Sequence, residues 1–364
     1  MTPRALLLPE LCCTITEFLD DSPADLRSCA LVSPHLTAAA QRILFHDIIF
    51  NGRCKAVGDL GLLPQYDESK ACARFCAVVA KSPHLIPLVR RIRIGLGHEV
   101  GSPLSTIKFP NLNELVLHGR LRSHGVDIKR TPAAALLRTP SLRRVGLVYP
   151  IFRRPQDMYS LFTSVSPTVG FLSLQRVLVE DGHSLSPISA ADYPTSKIKS
   201  LRLHRLYIHH PECLGPFDLS ELRELDYGNS LTPVFARVLE EARESIVCLI
   251  LNAEQAVKSL PSLLSGLPAL TDLTLVSDAG TSAGIETLLS SLHPFSLLAR
   301  LSLRLGGTLD VETAGLIGRA CANAPACVVT VWFKASDSDG VSHLEASMRS
   351  AFVEQGGKGV FDVI

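Results

Sequence analysis

The fold of this chain is decided by four hexapeptides: IKSLRL (Ile198–Leu203), LRELDY (Leu222–Tyr227), IVCLIL (Ile246–Leu251) and LTDLTL (Leu270–Leu275). Each carries apolar residues at its first, fourth and sixth positions, and successive hexapeptides begin 24 residues apart. Side chains alternate between the two faces of a β-strand, so the fourth and sixth residues point to the same side, while the first closes the turn into the strand. The pattern therefore predicts a short strand that recurs once in every repeat.

The same hexad extends over most of the chain. Further copies begin at Val89, Leu112, Leu142, Leu174, Leu298 and Val328, which makes the intervals between successive first positions 23, 30, 32, 24, 24, 24, 24, 28 and 30 residues. Phe45-x-x-Ile48-x-Phe50 fits the strand pattern as well. Helix-like segments are predicted at 69–81, 232–242, 281–292 and 311–322. A single repeat is too small to bury its own apolar face, which predicts that the repeats stack on one another.

This pattern resembles a leucine-rich-repeat solenoid over residues 88 to 334. The resemblance implies an α/β protein with a parallel sheet on the concave face and helices on the convex face. In that family Asn or Cys usually stands three residues after the last strand Leu, whereas the corresponding residues here are Arg120, Pro150, Gly182, Leu206, Ser230, Glu254, Asp278 and Gly306. An irregular solenoid is therefore expected, and an ordinary α/β sheet with helices on one side is the alternative.

The N-terminal stretch LLLPELCCTITEFLDDSPADLRSCALVSPHL (Leu6–Leu36) predicts short amphipathic helices. Leu11, Ile15, Phe18 and Leu19 fall on one face of the first helix. Ser22-Pro23 predicts the start of the second, with Ser as the cap and Pro at the first helical position. About 40 residues cannot bury enough apolar surface to be stable alone. The apolar face must therefore be covered by another protein or by the rest of the chain.

This order of residues resembles an F-box as it occurs in fungal F-box proteins, with Leu8-Pro9-Glu10-Leu11 first, the acidic Asp20-Asp21 turn next and Leu31-Val32-Ser33 later. F-boxes dock substrate receptors onto the Skp-type adaptor of cullin-RING ubiquitin ligases, so the resemblance implies that adaptor and, through it, a cullin as partners. The residues implied at the adaptor interface, or in the small core behind it, are Leu8, Pro9, Leu11, Ile15, Leu19, Leu26, Leu31 and Val32. The Trp often found near the end of the motif is replaced here by His35 or Leu36. The alternative is that these helices only cap the open end of the solenoid.

The expected organisation is an F-box-like helical motif at 1–45, a first strand and helical linker at 46–87, and a leucine-rich-repeat-like solenoid at 88–364. An F-box followed by such repeats is a recurrent architecture of substrate receptors. It implies a non-enzymatic substrate-recognition subunit of a Skp-cullin-F-box type ubiquitin ligase, which binds a target protein through the solenoid and needs no cofactor. The alternative is a scaffold or protein-interaction protein outside any ligase. An enzyme is a third possibility, but the sequence contains no Gly-rich phosphate loop after a strand and no G-x-S-x-G turn.

Residues that lie between the inward-facing ones are expected to face outward on the concave side of the sheet. Those that we predict to bind a target protein are Arg144, Arg176, Arg202, His204, Arg300, Arg304 and Trp332. Arginine and tryptophan are enriched at binding hot spots, and the chain has one Trp. The first half of the face, which includes His118, is mostly basic and would suit an acidic or phosphorylated peptide. Two alternatives remain open, namely a solvated mixed-charge surface and a Trp332 buried under residues 341–364.

Composition narrows the function further. The chain carries 36 Lys and Arg against 35 Asp and Glu, a net charge of +1, so it has no overall field that would attract nucleic acid or an anionic membrane. No apolar run approaches the ~20 residues of a transmembrane helix, and Pro9 and Glu10 interrupt the apolar run after Arg4, so we expect no secretory signal and a cytoplasmic or nuclear location. The ten cysteines form no C-x-x-C pair, which predicts free and mostly buried thiols and no metal site.

Overall fold

The computed structural model describes residues 9–50, 68–96, 103–120, 131–179, 195–208, 210–228, 233–252, 266–277, 298–305, 311–322, 328–333, 338–354 and 361–363. The chain divides into two compact units, and the main boundary falls between Val169 and Gly170. Both units combine parallel strands with helices, so the protein is α/β, as predicted.

Proline is the first residue of six of the nine described α-helices. The described α-helices are α1 (Pro9–Glu17), α2 (Pro23–Val32), α3 (Pro34–Leu44), α4 (Glu68–Lys81), α5 (Pro132–Leu137), α6 (Pro155–Phe162), α7 (Pro233–Ala242), α8 (Val311–Ala322) and α9 (Ser338–Glu354). Proline suits the first turn because its fixed φ matches the helix and its missing N–H would have no partner there. The Ser33 Oγ accepts a hydrogen bond from the Leu36 N–H at 3.2 Å and caps α3. Ser22 occupies the cap position of α2, but its hydroxyl donates to Asp25 Oδ2 at 2.6 Å instead of capping the helix.

The predicted helices at 69–81, 232–242 and 311–322 are confirmed as α4, α7 and α8. The predicted helix at 281–292 lies outside the described residues. Short 3-10 turns cover Pro83–Leu88, Pro103–Thr106 and Pro211–Leu214.

Within each unit, the adjacent strands of the large sheet run parallel to one another. The described strands are β1 (Asp47–Ile49), β2 (Arg91–Gly95), β3 (Glu114–Arg120), β4 (Arg144–Phe152), β5 (Phe171–Gln175), β6 (Leu178–Val179), β7 (Ser196–Lys197), β8 (Ser200–His204), β9 (Phe217–Asp218), β10 (Glu224–Gly228), β11 (Cys248–Asn252), β12 (Asp272–Ser277), β13 (Arg300–Leu305), β14 (Val328–Phe333) and β15 (Phe361–Val363). In the N-terminal unit the strand order is β1-β2-β3-β4. In the C-terminal unit it is β5-β8-β10-β11-β12-β13-β14-β15. Sequence order and spatial order agree, as they must when consecutive repeats stack.

The hexads align in register across the C-terminal sheet. Their fourth positions form a buried row in which each neighbour pair is in parallel register: Leu172, Leu201, Leu225, Leu249, Leu273 and Leu301. The sixth positions form a second buried row beside it: Leu174, Leu203, Tyr227, Leu251, Leu275 and Leu303. Tyr227 replaces Leu in this row, and its ring stacks on Phe235 of α7 with centroids 4.0 Å apart. The core of this unit therefore consists of layered aliphatic rows.

For two hexads, the register predicted from the sequence differs from the register in the structure. The sequence predicted a hexad at Leu174, but β5 places Leu172 beside Leu201 and Leu174 beside Leu203, so the hexad begins at Val169. Two overlapping apolar patterns exist at this point, and lateral pairing with β8 selects the earlier one. The last hexad begins two residues earlier than predicted, because Val329 and Val331 pair with Leu301 and Leu303. A shift of two residues preserves the face of each side chain, so the outward position of Trp332 is unaffected.

Before three of the hexads, a hydroxyl side chain forms a hydrogen bond to the preceding repeat. Ser141 Oγ donates to the Leu112 carbonyl, Thr168 Oγ1 to the Leu142 carbonyl and Ser245 Oγ to the Leu222 carbonyl, each at 2.8 Å. Each acceptor is the first residue of the preceding hexad. These hydroxyls satisfy carbonyls at the turn into the strand, which a buried backbone requires.

Two smaller apolar clusters complete the N-terminal unit. Helices α1 and α2 both pack on α3, and Cys12, Leu36 and Ala39 are buried between α1 and α3. Phe75 of α4 contacts Phe50 edge-on at 5.5 Å between ring centroids and stacks on Phe109 at 6.3 Å. Strand β1 pairs in parallel with β2, which confirms the predicted strand around Ile48.

Helices α8 and α9 approach each other closely at Gly318. A Cβ added to Gly318 would clash with the Met348 carbonyl oxygen, whereas one added to Gly315 would meet Ser347 Oγ at 3.5 Å, an ordinary contact. We expect Gly318→Ala to lower the free energy of unfolding by about 1–3 kcal/mol, since the α9 backbone must move. Gly315→Ala is the matched control and is expected to be neutral or stabilising by up to about 1 kcal/mol through helix propensity. Urea unfolding followed by circular dichroism measures both, and equal effects would contradict the close packing.

Candidate functional site

The first candidate site is the exposed apolar face of the N-terminal helices. Within α1, Cys12 and Thr16 turn toward α3, and the Thr16 hydroxyl donates to the Cys12 carbonyl at 2.9 Å. This orientation leaves Leu11 49% and Ile15 37% exposed, and Phe18 just beyond the helix is 86% exposed. These three residues recur at helical spacing, so they form one apolar stripe that the described residues of the chain leave open to solvent.

A second exposed apolar element lies at the end of α2. Leu31 is 89% and Val32 75% exposed, and both border an open groove between α2 and α3 that also involves Ser33, Pro34, Thr37, Ala38 and Gln41. The Thr37 hydroxyl bonds to the Ala30 carbonyl at 2.6 Å and holds the two helices together beneath this groove. Consecutive exposed aliphatic residues of this kind mark interaction surfaces on soluble proteins.

The residues predicted for adaptor binding differ in their exposure. Leu11, Ile15, Leu31 and Val32 are exposed, Leu19 is half-buried and Leu26 is buried. Leu26 therefore belongs to the core behind the surface. Pro9 is the first residue of α1, and Leu8 lies outside the described residues. Phe18, the most exposed aromatic of α1 and its flank, was on the predicted helical face but was omitted from the predicted contact residues.

The second candidate site is the outward face of the sheets, where ion pairs connect neighbouring strands. In the N-terminal unit Arg91 lies between Asp47 and Glu114, at 3.7 and 2.9 Å, and Arg144 lies 3.9 Å from Glu114. Arg93 also contacts Asp47 at 2.9 Å. Arg144, a predicted target-binding residue, therefore shares a carboxylate with Arg91. Charges alternate along this row, which matches the mixed-charge alternative better than a basic surface.

The C-terminal unit has similar pairs. Asp226 lies between Arg202 Nε at 2.8 Å and His204 Nε2 at 3.0 Å. The His204 imidazole fits at this position because the residue in register with it on β10 is Gly228, which has no side chain. A Cβ added to Gly228 would lie 2.5 Å from His204 Nδ1. Arg300 pairs with Asp272 on the adjacent strand. The predicted residues Arg202, His204 and Arg300 thus lie on the outward face, but each is matched by a carboxylate of a neighbouring strand.

Arg304 and Trp332 differ from these arginines. They are neighbours in register on β13 and β14, and Val276 of β12 flanks Arg304 on the other side. Trp332 is 43% exposed, so it is not buried beneath a C-terminal segment. Within the described ranges Arg304 is exposed and its guanidinium makes no hydrogen bond or ion pair.

Arg176 does not occupy the predicted position in a strand. Because the hexad begins at Val169, Arg176 follows the end of β5, and its φ of 52° is in the left-handed region. Its N–H donates to the His204 carbonyl at 2.7 Å, which ends the regular pairing. The outward positions of β5 itself belong to Phe171, Ser173 and Gln175. The inclusion of Arg176 among the strand residues of the outward face was therefore wrong.

His118 does not contribute to a basic face at neutral pH. Burial lowers the pKa of this imidazole to about 4, and its buried Nε2 has no hydrogen-bond partner among the described residues. The unfolded chain, with a His pKa near 6.5, binds more protons than the folded protein between about pH 4 and 6.5. Stability contributed by neutral His118 is therefore present above pH 6.5 and is lost as the pH falls toward 4.

We expect the melting temperature of the protein to fall between pH 7 and pH 4.5, and His118→Gln to reduce that fall. Gln keeps polar groups at this position but does not titrate. His84→Gln, which replaces an exposed histidine, is the control, and His118→Gln should change the slope more than it does. Identical pH slopes for wild type and His118→Gln would contradict a buried neutral imidazole.

Two of the described cysteines are held as inert thiols. Burial raises the pKa of both Cys76 and Cys213 to about 12, so both thiols stay protonated. Among the described residues no group of three or more His, Cys, Asp and Glu is arranged to hold a metal ion. None of the helices in the described ranges has the length and apolar content that a membrane crossing requires.

Comparison with known proteins adds no relative: no protein-family profile matches the sequence, and no curated protein matches it at a significant level.

Proposed function

We propose that this protein is the substrate-recognition subunit of a Skp-cullin-F-box type ubiquitin ligase. In this proposal α1–α3 form an F-box, and the stacked strands with their connecting helices form an irregular leucine-rich-repeat-like solenoid. The F-box binds a Skp-type adaptor, the adaptor binds the cullin, and the outward face of the sheet binds a target protein. The subunit itself carries out no chemistry, because ubiquitin transfer is accelerated by the proximity that the complex provides.

The observation that carries the proposal is the apolar surface of Leu11, Ile15, Phe18, Leu31 and Val32, which stays exposed although α1 and α2 pack on α3. Residues of this size stabilise an interface by roughly 1.5–3 kcal/mol each when they become fully buried. A helical cap would bury these side chains against its own chain. Their exposure among the described residues therefore favours a separate protein as the partner.

Co-expression with a Skp-type adaptor tests the proposal. We expect the two proteins to co-elute on size exclusion as a stoichiometric complex, and the adaptor to raise the yield of soluble protein because it covers the apolar surface. A soluble protein that elutes apart from the adaptor would overturn the proposal and would favour a scaffold outside any ligase. The adaptor expressed with an unrelated soluble protein of similar size controls for nonspecific co-elution.

A further inference from the structure

Within the proposed target-binding face, the charge balance singles out Arg304. The outward arginines Arg91, Arg93, Arg144, Arg202 and Arg300 each have a carboxylate within 4 Å on a neighbouring strand. Arg304 is exposed and has no such partner within the described ranges. An exposed ion pair contributes little to stability, but it does neutralise its arginine toward an incoming ligand. Arg304 is therefore the face arginine whose charge the described residues leave available.

Arg304 lies between two apolar side chains. Val276, Arg304 and Trp332 are consecutive members of one row across β12, β13 and β14. Adjacent strands lie about 4.8 Å apart, so the three side chains span roughly 10 Å. Trp332 presents 43% of its surface to solvent in this row. An exposed aromatic ring next to an unpaired guanidinium is the composition of a binding hot spot.

A strip of short side chains runs beside this row. The next outward positions on the same three strands are Thr274, Ser302 and Thr330, which are aligned in register and half-buried. Beyond them lie Asp272 and Arg300, which neutralise each other. Short side chains between two rows of longer ones form a shallow trough, and their hydroxyls can donate or accept hydrogen bonds.

We propose that this trough binds an extended, acidic peptide segment of the target, whose carboxylate pairs with Arg304 and whose adjacent apolar side chain packs on Trp332. This inference rests on the proposed function, because it names the chemistry of the target at that same face. A single uncompensated guanidinium matches the single charge of a carboxylate. A phosphate carries about −1.5 to −2 charges and would need a second free cation, whereas the nearby Arg300 is already paired with Asp272.

Selection from a random dodecapeptide library displayed on phage tests the inference. The full chain serves as bait, and an Arg304→Ala/Trp332→Ala variant serves for counter-selection. We expect enriched peptides to carry Asp or Glu within two positions of an aromatic or large aliphatic residue. No enrichment over the counter-selected variant, or enrichment of peptides without an acidic residue, would overturn the inference.

Trp332 supplies a direct binding signal, since it is the one Trp in the chain. A selected peptide should change its emission in a saturable manner. Arg304→Ala should weaken that peptide by about tenfold or more, whereas the matched control Arg91→Ala, which removes a paired arginine of the N-terminal unit outside the trough, should change affinity by less than about threefold. Equal losses in the two variants would contradict a specific role for Arg304. A peptide with phosphoserine in place of its acidic residue should bind more weakly, and tighter binding of the phosphopeptide would overturn the choice of a carboxylate.

The same protein preparations distinguish this inference from the proposed function. Adaptor co-elution depends on α1–α3, and peptide binding depends on β12–β14. Peptide binding without adaptor binding would overturn the proposed ligase function and support the trough as a peptide-binding site. Adaptor binding without selected peptides would support the ligase function and overturn peptide binding by the trough.

Discussion

Replacing Leu11 and Ile15 together with aspartate is expected to abolish adaptor binding while leaving the protein folded. Both side chains are exposed in the free protein, at 49% and 37%, so their replacement creates no cavity. A complex would bury the part of each side chain that is still exposed, so the loss of both contacts removes roughly 1–2.5 kcal/mol of binding free energy. Burial of the new carboxylates adds a further penalty. The affinity should therefore fall by more than about a hundredfold.

A control variant with the same change in net charge distinguishes the loss of the apolar stripe from a general effect of added negative charge. His35→Asp with Arg42→Gln changes two exposed residues of α3 and alters the net charge by the same two units, counting His35 as neutral, without touching the apolar stripe. It should bind the adaptor within about threefold of wild type, since isolated surface charges contribute little. Isothermal titration calorimetry with the purified adaptor measures both variants, and circular dichroism checks their fold.

A global unfolding of the Leu11→Asp/Ile15→Asp variant would mean that these residues are buried by the chain's own packing. That result would favour the capping role over the F-box. Retained adaptor affinity in a folded variant would place the adaptor contact elsewhere or remove it.

Truncation of Leu273 to alanine is expected to lower the free energy of unfolding of the C-terminal unit by roughly 2–5 kcal/mol. Leu273 is 1% exposed and lies in register between Leu249 and Leu301, so its removal opens a cavity within a buried row. Leu201→Ala should have a similar effect for the same reason, because Leu201 is also 1% exposed. Neighbouring repeats should loosen too, since each repeat is stabilised mainly by the repeats next to it.

Denaturant unfolding followed by the emission of Trp332 measures this effect within the C-terminal unit. The control is Val328→Ala, because the observed register makes Val328 a neighbour of Arg300 on the outward face with 38% exposure. It should lower the free energy of unfolding by no more than about 0.5 kcal/mol. A large loss for Val328→Ala would restore the register predicted from the sequence, and unchanged unfolding for Leu273→Ala would contradict the whole alignment of hexads.

The positions and faces of most strands were predictable because they depend on local alternation. A hexad such as Leu270–Leu275 contains one apolar pattern, and its inward and outward residues follow from the pleat alone. The N-terminal helices were predictable for a similar reason, since proline starts and apolar spacing are properties of the local sequence. Where two apolar patterns overlap, as around Leu174, local alternation does not choose between them, and the predicted register failed.

The sequence by itself determined the recurring strand, the side on which Trp332 lies and the amphipathic helix that exposes Leu11, because each depends on residues a few positions apart. Only the tertiary structure decided which charges neutralise one another, since Asp272 and Arg300 are far apart in the chain and become neighbours through strand pairing. It also decided the neutral state of His118 and the close contact at Gly318, which depend on what packs against a side chain or backbone from distant segments. The local sequence thus determined the helices and strands. Long-range packing paired the other outward arginines with carboxylates and left Arg304 without one among the described residues.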